Sequence, residues 1–177
     1  MKNKILVVID MQNDFVTGAL GTKEAQAIVP NVVAKIEEYK KQGYPVLATM
    51  DTHHSNYLQT NEGRHLPIEH CLEGTTGWKL VPEIDPLIRD VDIVRKSQFA
   101  NYALARIIML HCTSECEIEL VGVCTDICVV SNALLLKSYK PEATITVDAS
   151  CCAGTTPEAH EAALKVMKSC QIEIIGG

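Results

Sequence analysis

Residues 4–10, KILVVID, set five apolar side chains in a row between a lysine and an aspartate. A strand with one face in water alternates apolar with polar residues. An unbroken apolar run needs cover on both faces, as in a parallel sheet wrapped by helices. Short runs of similar character recur at 44–51 (YPVLATMD), 90–96 (DVDIVRK), 116–123 (CEIELVGV), 143–149 (ATITVDA) and 171–176 (QIEIIG). Longer amphipathic segments at 23–43, 101–111, 126–139 and 155–170 separate them. The alternation predicts a three-layer α/β/α fold with a mainly parallel, roughly six-stranded sheet. A chain of 177 residues, 47% hydrophobic, suits one domain spanning 1–177. The segment 23–43 reads as a helix broken or begun at Pro30 and stopped at Gly43. The segment 155–170 opens with Thr156 as N-cap, Pro157 in the first turn and Glu158 on the favourable side of the dipole.

Composition removes several classes. The formal net charge is -6, with lysines and arginines scattered, so no basic face for nucleic acid is expected. The apolar runs are too short to span a bilayer. The first residues lack the long apolar region and cleavage site of a leader, so a cytoplasmic location is expected. Eight cysteines there do not read as a disulfide framework. Cys112, Cys116 and Cys170 are expected to be buried and inert, and the Cys151-Cys152 pair to be packing.

In open parallel sheets, ligands bind beyond the carboxyl ends of the strands. The strand ends here carry Asp10, then Asp51 with His53 and His54, then Arg95 and Lys96, then CTDIC (124–128). Taken singly, Asp10 suits a turn, Lys96 a solvated charge and Cys128 core filler. Their convergence on one sheet edge favours chemistry. Cys128 falls in the first turn of a helix beginning near Thr125 or Asp126. The dipole and a nearby lysine are expected to lower its thiol pKa, and a carboxylate that takes a proton completes a nucleophilic site. Asp51 and His53, two apart on an extended segment, point the same way. With His70 they suit a metal such as Zn, Fe or Mn, or else form a turn with a surface histidine. The stretch 52–83 has no strong periodicity, and a loop of that length is usually functional.

Several motifs resemble those of the isochorismatase-like cysteine hydrolases, and within them the nicotinamidases. They are VVIDMQNDF (7–15), DTH (51–53), EHCLEGT (69–75), VRKSQF (94–99), GVCTDICV (122–129) and DASCCAGTTPEAHEAAL (148–164). The resemblance covers nearly the whole chain in order. It implies a Cys128-Asp10-Lys96 triad, with Cys128 as nucleophile, Asp10 as base and Lys96 stabilising the thiolate. It implies an oxyanion hole from the backbone N–H groups of Cys124 and Cys128, and a cis peptide at Val123-Cys124. It also implies a divalent metal, Zn before Fe or Mn, held by Asp51, His53 and His70, with Glu62 as a further ligand candidate. Phe15 and Phe99 match pocket positions, with core packing as the alternative for each. His54 and His65 are left as surface or neighbouring residues. The position where many nicotinamidases stack an aromatic ring is Pro67, and Trp78 is a substitute from later in the loop.

The expected activity is hydrolysis of nicotinamide, a small-molecule amide, to nicotinate and ammonia, a step of NAD salvage; related folds commonly self-associate, and no residue pattern here specifies a homo-oligomer. Relatives that cleave carbamoyl groups or act on isochorismate generally lack the metal set. One alternative is a cysteine hydrolase of another small amide or carbamoyl compound. Another is a non-catalytic metal- or ligand-binding module. A redox role would need Cys124 as partner to Cys128.

Overall fold

The computed structural model describes residues 3–112 and 116–177. Strand β1 (Asn3–Ile9) is followed by a short helix α1 (Asn13–Val16) and a long helix α2 (Lys23–Lys41). Then come β2 (Val46–Asp51), a one-turn helix α3 (Asn61–His65), β3 (Ile93–Lys96) and α4 (Tyr102–His111). The chain closes with β4 (Cys116–Val123), α5 (Val130–Tyr139), β5 (Thr144–Ala153), α6 (Pro157–Ser169) and β6 (Glu173–Ile175). The six strands lie in the order β3-β2-β1-β4-β5-β6, and every pairing is parallel. This is the expected α/β sheet.

The apolar run of β1 explains the layering. Ile5, Val7 and Ile9 enter one core with side chains of α4, α5 and α6, including Leu104, Leu136 and Met167. Leu6 and Val8 enter the other, against Ile28, Val32 and Ile36 of α2. Successive side chains of a strand point to opposite faces, so both faces must be apolar. The order of connection reverses at β1, whose neighbours are β2 and β4. A crevice opens at such a reversal, beyond the strand ends.

Four local expectations change. Helix α2 runs unbroken through Pro30. Pro30 and Gln26, whose carbonyl loses its partner, are both on the exposed side, so the missing bond does not leave a buried carbonyl unpaired. β5 continues past Ala149 to Ala153, with its register against β4 shifting between Leu120 and Gly122. Cys112 and Cys116 are buried as expected, but their sulfurs are bonded, with Cα atoms 5.4 Å apart. Cys170 is exposed rather than buried, because it follows the last turn of α6. The 52–83 stretch also holds more structure than its sequence suggests. It contains a 3-10 turn at Tyr57–Gln59, helix α3, and isolated bridges His53↔Leu72 and Gln12↔Leu80.

Candidate active site

The strand ends converge as the topology requires. Asp10 is the first residue past β1, and Asp51 and Lys96 close β2 and β3 as paired neighbours. Asp10 takes a left-handed backbone, φ 48°, which an aspartate tolerates better than most residues. Its N–H donates to the carbonyl and the hydroxyl of Thr49, and Thr49 Oγ1 donates back to Asp10 Oδ1 at 2.7 Å. Asp10 Oδ2 lies 2.7 Å from Lys96 Nζ, with both side chains wholly buried. The same ammonium reaches Cys128 Sγ at 3.4 Å and Asp51 Oδ1 at 3.6 Å.

Cys128 sits on a π-helical turn, Thr125–Val129, that leads into α5. The Val123-Cys124 peptide before it is cis, as the family likeness implied. The Cys124 carbonyl closes the turn by accepting from Ile127 N and Val129 N. Burial and the Asp10 charge push the Cys128 thiol up, more than Lys96 pulls it down. The lowering expected from the helix start is therefore overturned: the thiol is enclosed and faces a carboxylate. Burial also raises Asp10, against the pull of Lys96. Burial opposes the Lys96 charge, but Asp10, Cys128 and Asp51 outweigh it and the ammonium is raised.

Next to this trio, Asp51, His53, Glu62 and His70 bring four ligand atoms within 4.8 Å of one another. His53 Nε2 is 2.9 Å from Asp51 Oδ2, and His70 Nε2 is 3.6 Å from it. Glu62 Oε1 is 3.8 Å from both imidazoles. His70 Nδ1 lies 2.8 Å from the Ile68 carbonyl, and donating there leaves Nε2 as a lone pair facing the cluster. His53 Nε2 is buried and, although 2.9 Å from Asp51 Oδ2, makes no well-aligned hydrogen bond among the described residues. Two imidazoles and two carboxylates around such an orphan nitrogen fit a divalent transition metal.

Cys128 and all four residues of the cluster line a cavity of about 1090 Å³, with Asp10 and Lys96 buried behind Cys128. Phe15 and Phe99 line it, as do Tyr57, Cys124 and Ile127. His54 and His65 reach its rim, where His54 faces Glu73 at 3.6 Å and His65 folds back on Asn61. Trp78 stays outside the lining: its Nε1 donates to Thr52 Oγ1 and its ring lies under Arg95. Pro67 does not line the cavity either. The aromatic wall comes instead from Tyr57, whose ring centroid is 4.7 Å from His53 and 5.0 Å from His70.

Tyr57, Thr49, Gln12 and Asn132 did not stand out in the sequence. Asn132 Nδ2 donates to the carbonyls of Cys128 and Phe99, and its Oδ1 accepts from Asn101 N. The available signal was an asparagine in the apolar helix VVSNALLL, since a buried amide needs partners.

A buried Cys, Asp and Lys at the carboxyl edge of a doubly wound parallel sheet, beside an acid-and-imidazole cluster, define a hydrolase-like α/β site. The isochorismatase domain model matches residues 4–176, and the chain belongs to that family. An uncharacterised isochorismatase family protein, PncA, of Bacillus subtilis is 31% identical, over 91% of this chain and 92% of that protein. A protein of Arabidopsis thaliana, named "Probable inactive nicotinamidase", is 29% identical over 95% of this chain and 89% of its own. The crystal structure of a pyrazinamidase of Pyrococcus horikoshii in complex with zinc superposes with a TM-score of 0.85. It shares 30% identity and covers 99% of both chains.

Proposed function

We propose that the protein is a cysteine amidase that converts nicotinamide and water to nicotinate and ammonia. The observation that carries this is Lys96 Nζ lying between Asp10 Oδ2 at 2.7 Å and Cys128 Sγ at 3.4 Å, behind a cavity whose wall carries Cys128 and the ligand cluster. The pyrazinamidase name of the zinc-bound similar structure supports a carboxamide on a nitrogen heterocycle.

Asp10 takes the thiol proton as Cys128 Sγ attacks the amide carbon. Lys96 stays protonated and offsets the negative charge of the pair. The backbone N–H groups of Cys124 and Cys128 hold the oxyanion. The carbon–nitrogen bond breaks, and Asp10 delivers its proton to the departing nitrogen as ammonia. Asp10 then takes a proton from water as the water oxygen attacks the thioester. The carbon–sulfur bond breaks and that proton returns to Cys128. Asp51, His53 and His70, with Glu62 alongside, would hold a divalent metal, zinc before iron or manganese, whose chemistry when bound is to anchor the ring nitrogen. Phe15 and Phe99 hold the ring between them, and Tyr57 closes its far side.

Mass spectrometry of protein quenched during turnover tests this. A nicotinoyl adduct on the peptide containing Cys128 is the expected result. Nicotinate formation with the adduct on another residue would sink the role of Cys128.

The cavity volume supports a second reading. At about 1090 Å³ it reaches the upper range of pockets for drug-sized ligands, roughly 300–1,000 Å³, whereas nicotinamide is a single ring. Faster turnover of ring-substituted amides than of nicotinamide would favour a larger amide substrate on the same machinery.

A further inference from the structure

The segment after β1 carries three polar side chains at alternating positions, Asp10, Gln12 and Asp14. Asp10 faces Lys96. The other two reach toward the ligand cluster without touching its side chains. Gln12 is wholly buried and its amide is satisfied. Its Oε1 accepts from Asp51 N at 2.7 Å, and its Nε2 donates to Asp51 O at 2.8 Å and Trp78 O at 2.7 Å. The β1–β2 register pairs end at Val8↔Ala48, three residues before Asp51. Gln12 therefore supplies, from a side chain, the two ladder bonds that β1 no longer gives Asp51. The peptide groups on both sides of the Asp51 Cα are fixed by one amide.

Asp14 acts on the other ligand strand. Its Oδ2 accepts from Cys71 N at 2.8 Å, the residue immediately after His70. Cys71 has φ 46°, so the turn carrying His70 holds a conformation that non-glycine residues seldom adopt without support. Glycine at 77 is needed for this contact, because a Cβ there would overlap the Asp14 carboxylate.

We propose that Gln12 and Asp14 are positioning residues for the metal, Gln12 through Asp51 and Asp14 through the His70 turn. The proposal rests on reading Asp51 and His70 as ligands. It makes the residues following the base responsible for the alignment of the metal as well.

Zinc affinity of metal-stripped protein, measured by competition with a chromophoric chelator, tests both levels. Asp51→Ala is expected to abolish tight binding. Gln12→Glu and Asp14→Ala should weaken it by about 10–100-fold, as losses around a ligand shell do. Their cobalt complexes should show altered visible absorption. Asp14→Asn keeps an oxygen for Cys71 N and should bind close to wild type. If Asp51→Ala fails while Gln12→Glu and Asp14→Ala bind like wild type, the positioning role is overturned and the ligand reading stands. If Asp51→Ala binds like wild type, both fall. Should Gln12→Glu not fold, the Asp14 pair decides: equal affinity of Asp14→Ala and Asp14→Asn overturns the proposal.

Discussion

Lys96 makes the site electrostatically tenable. Two buried carboxylates, Asp10 and Asp51, and a thiol surround its single ammonium. Replacing it with methionine leaves Asp10 buried without a counter-charge. Lys96→Met is therefore expected to cost about 3–5 kcal/mol in urea unfolding at neutral pH, and an unchanged midpoint would contradict this. Asp10→Asn keeps the shape of the side chain but cannot take the thiol proton. Its kcat for nicotinamide should fall by roughly 10²–10⁴-fold, the usual worth of a positioned base, with little change in KM. Asp10 and Lys96 were legible as charged residues closing strand-like runs, and Cys128 as a thiol in the turn that leads from β4 into a helix. Gln12, Thr49 and Asn132 were not, because each acts on backbone atoms far away in sequence. The direction of the thiol shift was also hidden: a helix start can be read from sequence, but the degree of enclosure cannot.

At the scale of elements, the turn carrying Cys128 is fastened at two points to the start of α6. Thr125 Oγ1 meets His160 Nδ1 of α6 at 2.8 Å, and the Asp126 carboxylate accepts from Thr155 N and Oγ1 at 2.8 and 2.6 Å. The turn also needs β4 to pass very close to β1. Gly122 has φ 117°, and a Cβ there would overlap the Ile9 carbonyl. Gly122→Ala should destabilise by more than about 1 kcal/mol, since both backbone and space are wrong for a side chain. Differential scanning calorimetry would register this, and a Tm equal to wild type would refute the packing described. The strands whose ends build the site followed from apolar runs and periodicity. The uninterrupted passage of α2 through Pro30 did not, because solvent exposure of that face depends on how the helix docks. Helix α3 and the placement of Tyr57 inside the 52–83 stretch likewise depend on contacts that no local pattern carries.

Across the whole molecule, α2 is tied to the sheet by Lys35, which pairs with Glu119 of β4 at 2.7 Å and Asp148 of β5 at 2.9 Å. Burial works against the Asp148 charge, but Lys35 and Ser150 outweigh it and hold the carboxyl below its ordinary value. A lowered carboxylate contributes stability above its unfolded pKa, about 3.9, and loses it as pH falls through the folded value. The stability gap between wild type and Lys35→Met should therefore be widest near neutral pH and close below about pH 4, as read by urea unfolding across that range. A gap constant with pH would contradict the pairing. The family fold was recoverable from the alternation of runs and the order of motifs. The substrate was not, because it depends on a cavity assembled from residues 15 to 155. Ammonia release from nicotinamide by metal-replete wild type and by Cys128→Ala, side by side, tests the central proposal most directly. Turnover by wild type that the substitution abolishes is the expected result. No release by the metal-replete wild type would contradict the nicotinamide assignment, and release that survives Cys128→Ala would contradict the nucleophile.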